Sequence, residues 1–200
     1  LQGLSVIVKK EKKLEKEKNY LEEALKTNPY AQKTIIELIE IYKQLNQHQK
    51  LIELIENSAK KKIIKKSEFY DDLGLGYYMI SQSDTDSDDY QKHLILAQKY
   101  APNHQDIQIS YANFLLGKNK KSALTKYIKS VYAINHDNEL VEIYLKNFSD
   151  KKISYQLKQL EKLINLESSN DKALKKYLEI SGVYNLNLKK CKKYREKYLS

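Results

Sequence analysis

The sequence predicts an all-α protein assembled from short antiparallel helix pairs, and three observations carry that prediction. Apolar residues recur at spacings of three and four along nearly all of the 200 residues, the pattern of amphipathic helices. Only 5 glycines and 2 prolines interrupt it, too few for the turn-rich strands of a β-sandwich or for Gly-rich phosphate loops. Polar breaks between the helical segments return at a fixed interval, which marks an internal repeat.

Taken in order, the first element is a long charged helix over residues 4–27. The next segment, 34–45, places Ile35, Leu38, Ile39 and Tyr42 on one face, and 50–59 does the same with Leu51, Leu54, Ile55 and Ala59. The polar turn Asn46, Gln47, His48 separates them. Further helices are predicted from Phe69, Asp89, Gln105, Lys121, Asn138, Ile153, Asp171 and Leu188, about eleven in all. The last, over 186–199, carries a narrow stripe of Leu188, Cys191, Tyr194 and Tyr198. Lys189, Lys190, Lys192, Lys193 and Lys197 crowd its other side, the expected look of a solvated terminal cap.

The breaks are regular. Polar turns at 100–103, 134–137 and 168–171 put Pro102, His136 and Asn170 at intervals of 34 residues. Pro29 lies 73 residues before Pro102, two such intervals plus about five, and the acidic loop 81–89 accommodates the surplus.

The residues at these intervals resemble the tetratricopeptide (TPR) repeat, whose period is 34. Tyr70, Leu73, Gly74 and Tyr77 resemble that family's W-x2-L-G-x2-Y first helix, with Tyr70 in the Trp place. Leu94 and Ala97 precede Pro102 at the family's spacing, and Leu21, Ala24 and Pro29 repeat the arrangement. From Gln105, Tyr111, Ala112 and Leu115 take the Leu-Gly and Tyr places, with Ala123 near the small-residue place. After Asn138, Leu145 fits but Lys and Glu stand at the small-residue positions, and 173–184 keeps only the helical spacing. An irregular bundle or a different α-solenoid is the alternative architecture.

The resemblance implies a right-handed superhelix of antiparallel helix pairs, a TPR-like α-solenoid. It would form one domain over 1–200 with about five pairs, 4–27 being the end of a truncated unit and 186–199 the cap. Because the chain begins at Leu1 rather than Met, a removed or additional segment is expected before it. The resemblance also implies that first helices line a concave groove for a peptide or helix of a partner, with Ile109, Asn113, Ile143, Asn147, Tyr177 and Ser181 at inner positions. Asn113 and Asn147 would stack in adjacent units, their amides holding a peptide backbone; simple polar surface residues are the alternative. The two-carboxylate clamp of chaperone-binding members finds Glu40, Asp71 and Leu75 at its places and is not expected.

Catalytic chemistry has little to stand on. His48, His93, His104 and His136 sit in separate segments, with no H-E-x-x-H pair and no Cys–His cluster at metal-ligand spacing. Cys191 is the only cysteine, so there is no internal disulfide, and its apolar stripe makes it a packed residue. No G-x-S-x-G occurs, and Gly74 and Gly76 are followed by Met79 where a dinucleotide fingerprint needs Gly. Asp84, Asp86 and Asp88 have the opening spacing of a calcium loop, but Asp89 and Ile95 stand where its glycine and bidentate glutamate belong. Ser87, Asp88 or Asp89 is better read as a helix N-cap. No enzyme, cofactor or metal site is expected.

The charge is +10, from 36 basic and 26 acidic residues. Arg195 is the only arginine, and lysine reproduces the bidentate base contacts of arginine poorly. The joint abundance of Lys, Asn, Ile and Tyr also fits the codon usage of an AT-rich genome. In the mixed run 9–18, Glu15 with Lys18 and Lys13 with Glu17 are favourable pairs, while Glu11 and Glu15 repel. The basic run 60–66 closes a helix, where cations suit the dipole, or contacts an anion; neither run interleaves with aromatic residues. Another protein is therefore the first expected partner, and RNA or an anionic envelope surface the second. No run of 18 apolar residues spans a membrane. One free cysteine permits the cytoplasm, and a signal segment before Leu1 would permit export.

Overall fold

The computed structural model describes residues 2–83, 88–135, 137–166, 172–184, 186 and 188–199. Asp84, Asp86 and Ser87 of the acidic loop, His136, and the break at 168–171 lie outside the described residues, as do the side chains of Asp88, Leu188, Lys193, Lys197 and Tyr198. Among the described residues the chain forms eleven α-helices and one short 3-10 turn, with no strand. The helices are α1 (Gln2–Thr27), α2 (Gln32–Gln44), α3 (His48–Lys60), α4 (Tyr70–Ser83), α5 (Asp88–Tyr100), α6 (Gln105–Gly117), α7 (Lys121–Tyr132), α8 (Asn138–Lys146), α9 (Ile153–Ile164), α10 (Lys172–Val183) and α11 (Leu188–Leu199). The 3-10 turn, Lys66–Phe69, leads into α4. The chain divides into two compact units, Leu1–Pro102 and Asn103–Ser200.

In the first unit each helix packs on its sequence neighbour, α1 on α2, α2 on α3, α3 on α4 and α4 on α5. The predicted faces form the core: Ile35, Leu38, Ile39 and Tyr42 meet Leu51, Ile52 and Ile55, then Ile64, Phe69 and Leu73, with Leu21 and Leu25 of α1 against them. Polar contacts fasten the long helix across this layer. The Tyr42 hydroxyl donates to Glu22 at 2.8 Å and Lys50 pairs with the same carboxylate at 3.2 Å. Glu22 is held below the ordinary carboxylate range: burial raises its pKa, but the Tyr42 and Lys50 hydrogen bonds and the Lys50 charge together outweigh that. Buried Lys18 pairs with Glu15, as the spacing predicts.

Three helices end in left-handed residues, Asn46 (φ 54°), Lys62 (φ 59°) and Asn119 (φ 53°). After each, the next amide closes the helix end: Gln47 N–H to Tyr42 O at 2.8 Å, Ile63 to Ser58 at 2.9 Å and Lys120 to Leu115 at 3.0 Å. These are Schellman closures, in which a left-handed residue returns a six-residue hydrogen bond. Asparagine tolerates that backbone; Lys62 carries its strain, roughly 1–2 kcal/mol. Gly74 lets α4 come close to the end of α5. A Cβ at Gly74 would stand 2.3 Å from the Ala101 Cβ, so the Leu-Gly pair is there for helix contact.

In the second unit α6 packs on α7 and α8, α8 also on α7, α9 and α10, and α10 on α9 and α11. Its repeat runs at 33 rather than 34 residues. Tyr111, Tyr144 and Tyr177 are successive at 33, as are Ile107, Leu140 and Ala173, and Gln108, Val141 and Leu174. All but the half-buried Tyr111 are buried. The Tyr132 hydroxyl, wholly buried at the end of α7, accepts the Ala173 amide at 3.0 Å and ties down the first turn of α10. Asp137 caps α8, its carboxylate accepting the Glu139 amide at 2.6 Å.

Candidate partner-binding face

The repeat of 33 determines which side chains of α6, α8 and α10 reach the surface. Stepping from Asn113 by 33 reaches Lys146 and Glu179, and from Ile109 reaches Glu142 and Lys175. Five of these six are exposed and Ile109 is half-buried. The spacing gives them equivalent positions on α6, α8 and α10, which pack α6 on α8 and α8 on α10.

The six residues expected at inner positions divide. Ile109 and Asn113 hold two of these positions, but Ile143, Asn147, Tyr177 and Ser181 are buried in the unit. The reason is geometric: one residue turns a helix by about 100°, so an interval of 34 applied to a repeat of 33 lands on the inward side. Asn147 is committed there, its amide donating to Lys121 O at 3.1 Å and Thr125 Oγ1 at 3.0 Å. The Tyr177 hydroxyl donates to Glu161 at 3.1 Å, and its pKa is pushed up to about 12 by burial and by the Glu161 charge. The Ser181 hydroxyl is buried without a hydrogen-bond partner among the described residues. The Asn113–Asn147 amide ladder therefore has only its first rung at the surface.

Between α8 and α10 lies an open recess of about 200 Å³, lined by Asn138, Val141, Glu142, Lys172, Lys175, Lys176 and Glu179. Lys176 bridges its walls, 2.8 Å from Glu142 and 3.5 Å from Glu179. The Glu142 hydrogen bond raises the Lys176 pKa despite some burial. Lys172 and Lys175 have no ion pair among the described residues, although they sit in the first turn of α10, where carboxylates suit the dipole. Among the described residues the recess thus offers two cations without an ion pair, Lys172 and Lys175, beside the Lys176 pairs with Glu142 and Glu179 and the apolar Val141. Sequence reasoning missed its lysines, and the signal that finds them is the spacing of Tyr111, Tyr144 and Tyr177.

The first-helix face of the other unit is self-paired. Lys43 of α2 reaches Asp72 of α4 at 2.7 Å and Glu40 at 3.4 Å, and the Asp72 bond raises its pKa. Glu40 and Asp71 are both exposed. At the end of the chain, Cys191 is buried with its thiol toward Leu186 O at 3.5 Å, and Lys190 pairs with Glu161 at 2.9 Å. His48 is half-buried, and burial lowers its pKa. Among the described residues no group of three or more His, Cys, Asp or Glu side chains is placed to hold a metal ion, and no helix is long and apolar enough to cross a membrane.

No protein-family model matches the chain. None of the curated proteins matches it either. Among solved structures it is similar to a thermophilic TPR protein of Thermus thermophilus, with 14% identity over 88% of this chain and 95% of that one, at a TM-score of 0.34.

Proposed function

We propose that this chain is a protein-interaction scaffold that holds a peptide or helix segment of a partner protein on the shared face of α6, α8 and α10. The observation supporting this is the pair of equivalent sets Ile109, Glu142, Lys175 and Asn113, Lys146, Glu179, of which Glu142, Lys175 and Glu179 line the α8–α10 recess. Side chains of mixed sign at regular helical intervals suit an extended segment carrying its own alternating charges. Electrostatic complementarity of this kind selects partners more than it adds raw affinity. No reaction belongs to this reading.

Panning a random peptide library on the purified chain tests it. Selected peptides should lose about tenfold or more in affinity, ~1.4 kcal/mol, on the charge swap Lys175→Glu with Glu179→Lys. Lys118→Glu, an exposed change beyond α6, should leave them unchanged. Selected peptides that bind the swapped variant as well as the parent would place the partner elsewhere.

A further inference from the structure

The basic run that closes α3 lies outside the face just described, and the fold gives it neighbours that its sequence does not. Lys60, Lys61, Lys62 and Lys65 are exposed and make no ion pair among the described residues. Lys66 pairs with Glu56 at 2.6 Å, and the two line an open recess with Asn57, Ala59 and Lys60. Its ammonium also stands 4.9 Å over the ring of Tyr100. That ring is one member of an aromatic file, 5.3 Å from Tyr70 and 5.9 Å from Tyr77, with Tyr77 stacked in turn on His93. Tyr70, at the outer end of the file, is 43% exposed.

We infer that this surface binds single-stranded nucleic acid, the lysines Lys60, Lys62, Lys65 and Lys66 tracking the phosphates while a base stacks on Tyr70. Phosphate neutralisation by lysines combined with base stacking on aromatic rings is the general way single strands are held without sequence preference. Three features favour this ligand over other polyanions. A single strand offers both groups that this surface can take, phosphates for the lysines and an open base face for the exposed Tyr70 ring. A duplex keeps its base faces covered, so the exposed ring would gain nothing. Reading a duplex by its base edges relies on arginine forks, and this run has none. Lys62 keeps its charge at a strained left-handed position (φ 59°) where glycine or asparagine would relieve the backbone.

The test is fluorescence anisotropy of a labelled 12-nucleotide oligouridylate with the full chain between 50 and 200 mM salt. Saturable binding is expected, with a log–log salt slope of about −2 to −3 for three to four neutralised phosphates. The triple variant Lys60→Gln, Lys62→Gln, Lys65→Gln should weaken it at least about tenfold and flatten the slope. Tyr70→Ala should weaken it about fivefold or more and leave the slope unchanged, because stacking releases no counterions. Lys189→Gln with Lys192→Gln in α11 should bind as the parent does. Circular dichroism of each variant verifies that the helices are intact. The inference is overturned by absence of saturable binding at 50 mM salt, by an equal loss in the α11 variant, by an unaffected Tyr70→Ala, or by phosphatidylserine vesicles binding where the oligonucleotide does not.

Discussion

Replacing Gly74 with alanine puts one methyl group into the close contact between α4 and the end of α5. The added Cβ would lie 2.3 Å from the Ala101 Cβ, 2.8 Å from its amide nitrogen and 3.1 Å from its Cα. Two of these three atoms are backbone, so no rotamer change relieves the overlap. To reach ordinary contact near 3.4 Å, α4 and the end of α5 must separate by about 1 Å, in a core packed as closely as an organic crystal. Overpacking of this kind costs about 1–3 kcal/mol, while alanine regains up to ~1 kcal/mol of helix propensity over glycine. An overlap at 2.3 Å places the cost in the upper part of that range, about 2–3 kcal/mol, so the balance is a loss of roughly 1–2 kcal/mol, which lowers the urea midpoint by about 1 M for a unit of this size. Gly182→Ala is the control, because no described residue lies within 4 Å of its would-be Cβ in α10; it should hold or slightly raise stability. Adding Ala101→Gly to Gly74→Ala removes the 2.3 Å overlap and should restore part of the loss. A Gly74→Ala protein with an unchanged or higher midpoint would refute the assignment of this glycine to close helix contact.

Other substitutions probe the second unit. Asn147→Ala removes two donated hydrogen bonds from a buried side chain and should cost about 1–3 kcal/mol in urea unfolding, whereas the exposed Asn113→Ala should stay within about 0.5 kcal/mol of the parent; equal effects would contradict the repeat of 33. The Tyr144 hydroxyl is buried without a hydrogen-bond partner among the described residues, and burial pushes its pKa up to about 12. At neutral pH, Tyr144→Phe should therefore be neutral or mildly stabilising in a thermal melt. A folded pKa above the unfolded value near 10 means that this stability is complete below pH 10 and is lost as pH rises toward 12. Tyr177, also raised to about 12, acts in the same direction, as do the raised lysines Lys43, Lys176 and Lys190. Stability followed from about pH 8 to 12 should fall above pH 10, and less steeply in Tyr144→Phe; a parallel fall in both proteins would show that Tyr144 titrates normally.

The helices themselves were legible without coordinates. A period of about 3.6 is written into each segment, and starts predicted at Gln105, Lys121, Asn138, Ile153 and Leu188 are where α6, α7, α8, α9 and α11 begin. The small-residue signal at Gly74 was equally readable, because only a missing side chain admits the Ala101 backbone. Faces were a different matter. In the sequence the polar breaks at Pro102, His136 and Asn170 recur at 34, but a connection between helices can gain or lose a residue at little cost, while a buried helix face must mesh with its neighbours. Packing set the repeat of the second unit at 33, and that single residue carried Asn147 inward and brought Lys146, Lys175 and Glu179 to the surface. The same holds for Lys66 and Tyr100, 34 residues apart in the chain, whose ring and ammonium meet only because α5 folds back along α4 toward the turn Lys66–Phe69. Local periodicity is a property of each segment's own residues, so composition and spacing decide that helices form and where they stop. Which side of a helix faces out depends on contacts between segments, and those exist only once the chain has packed.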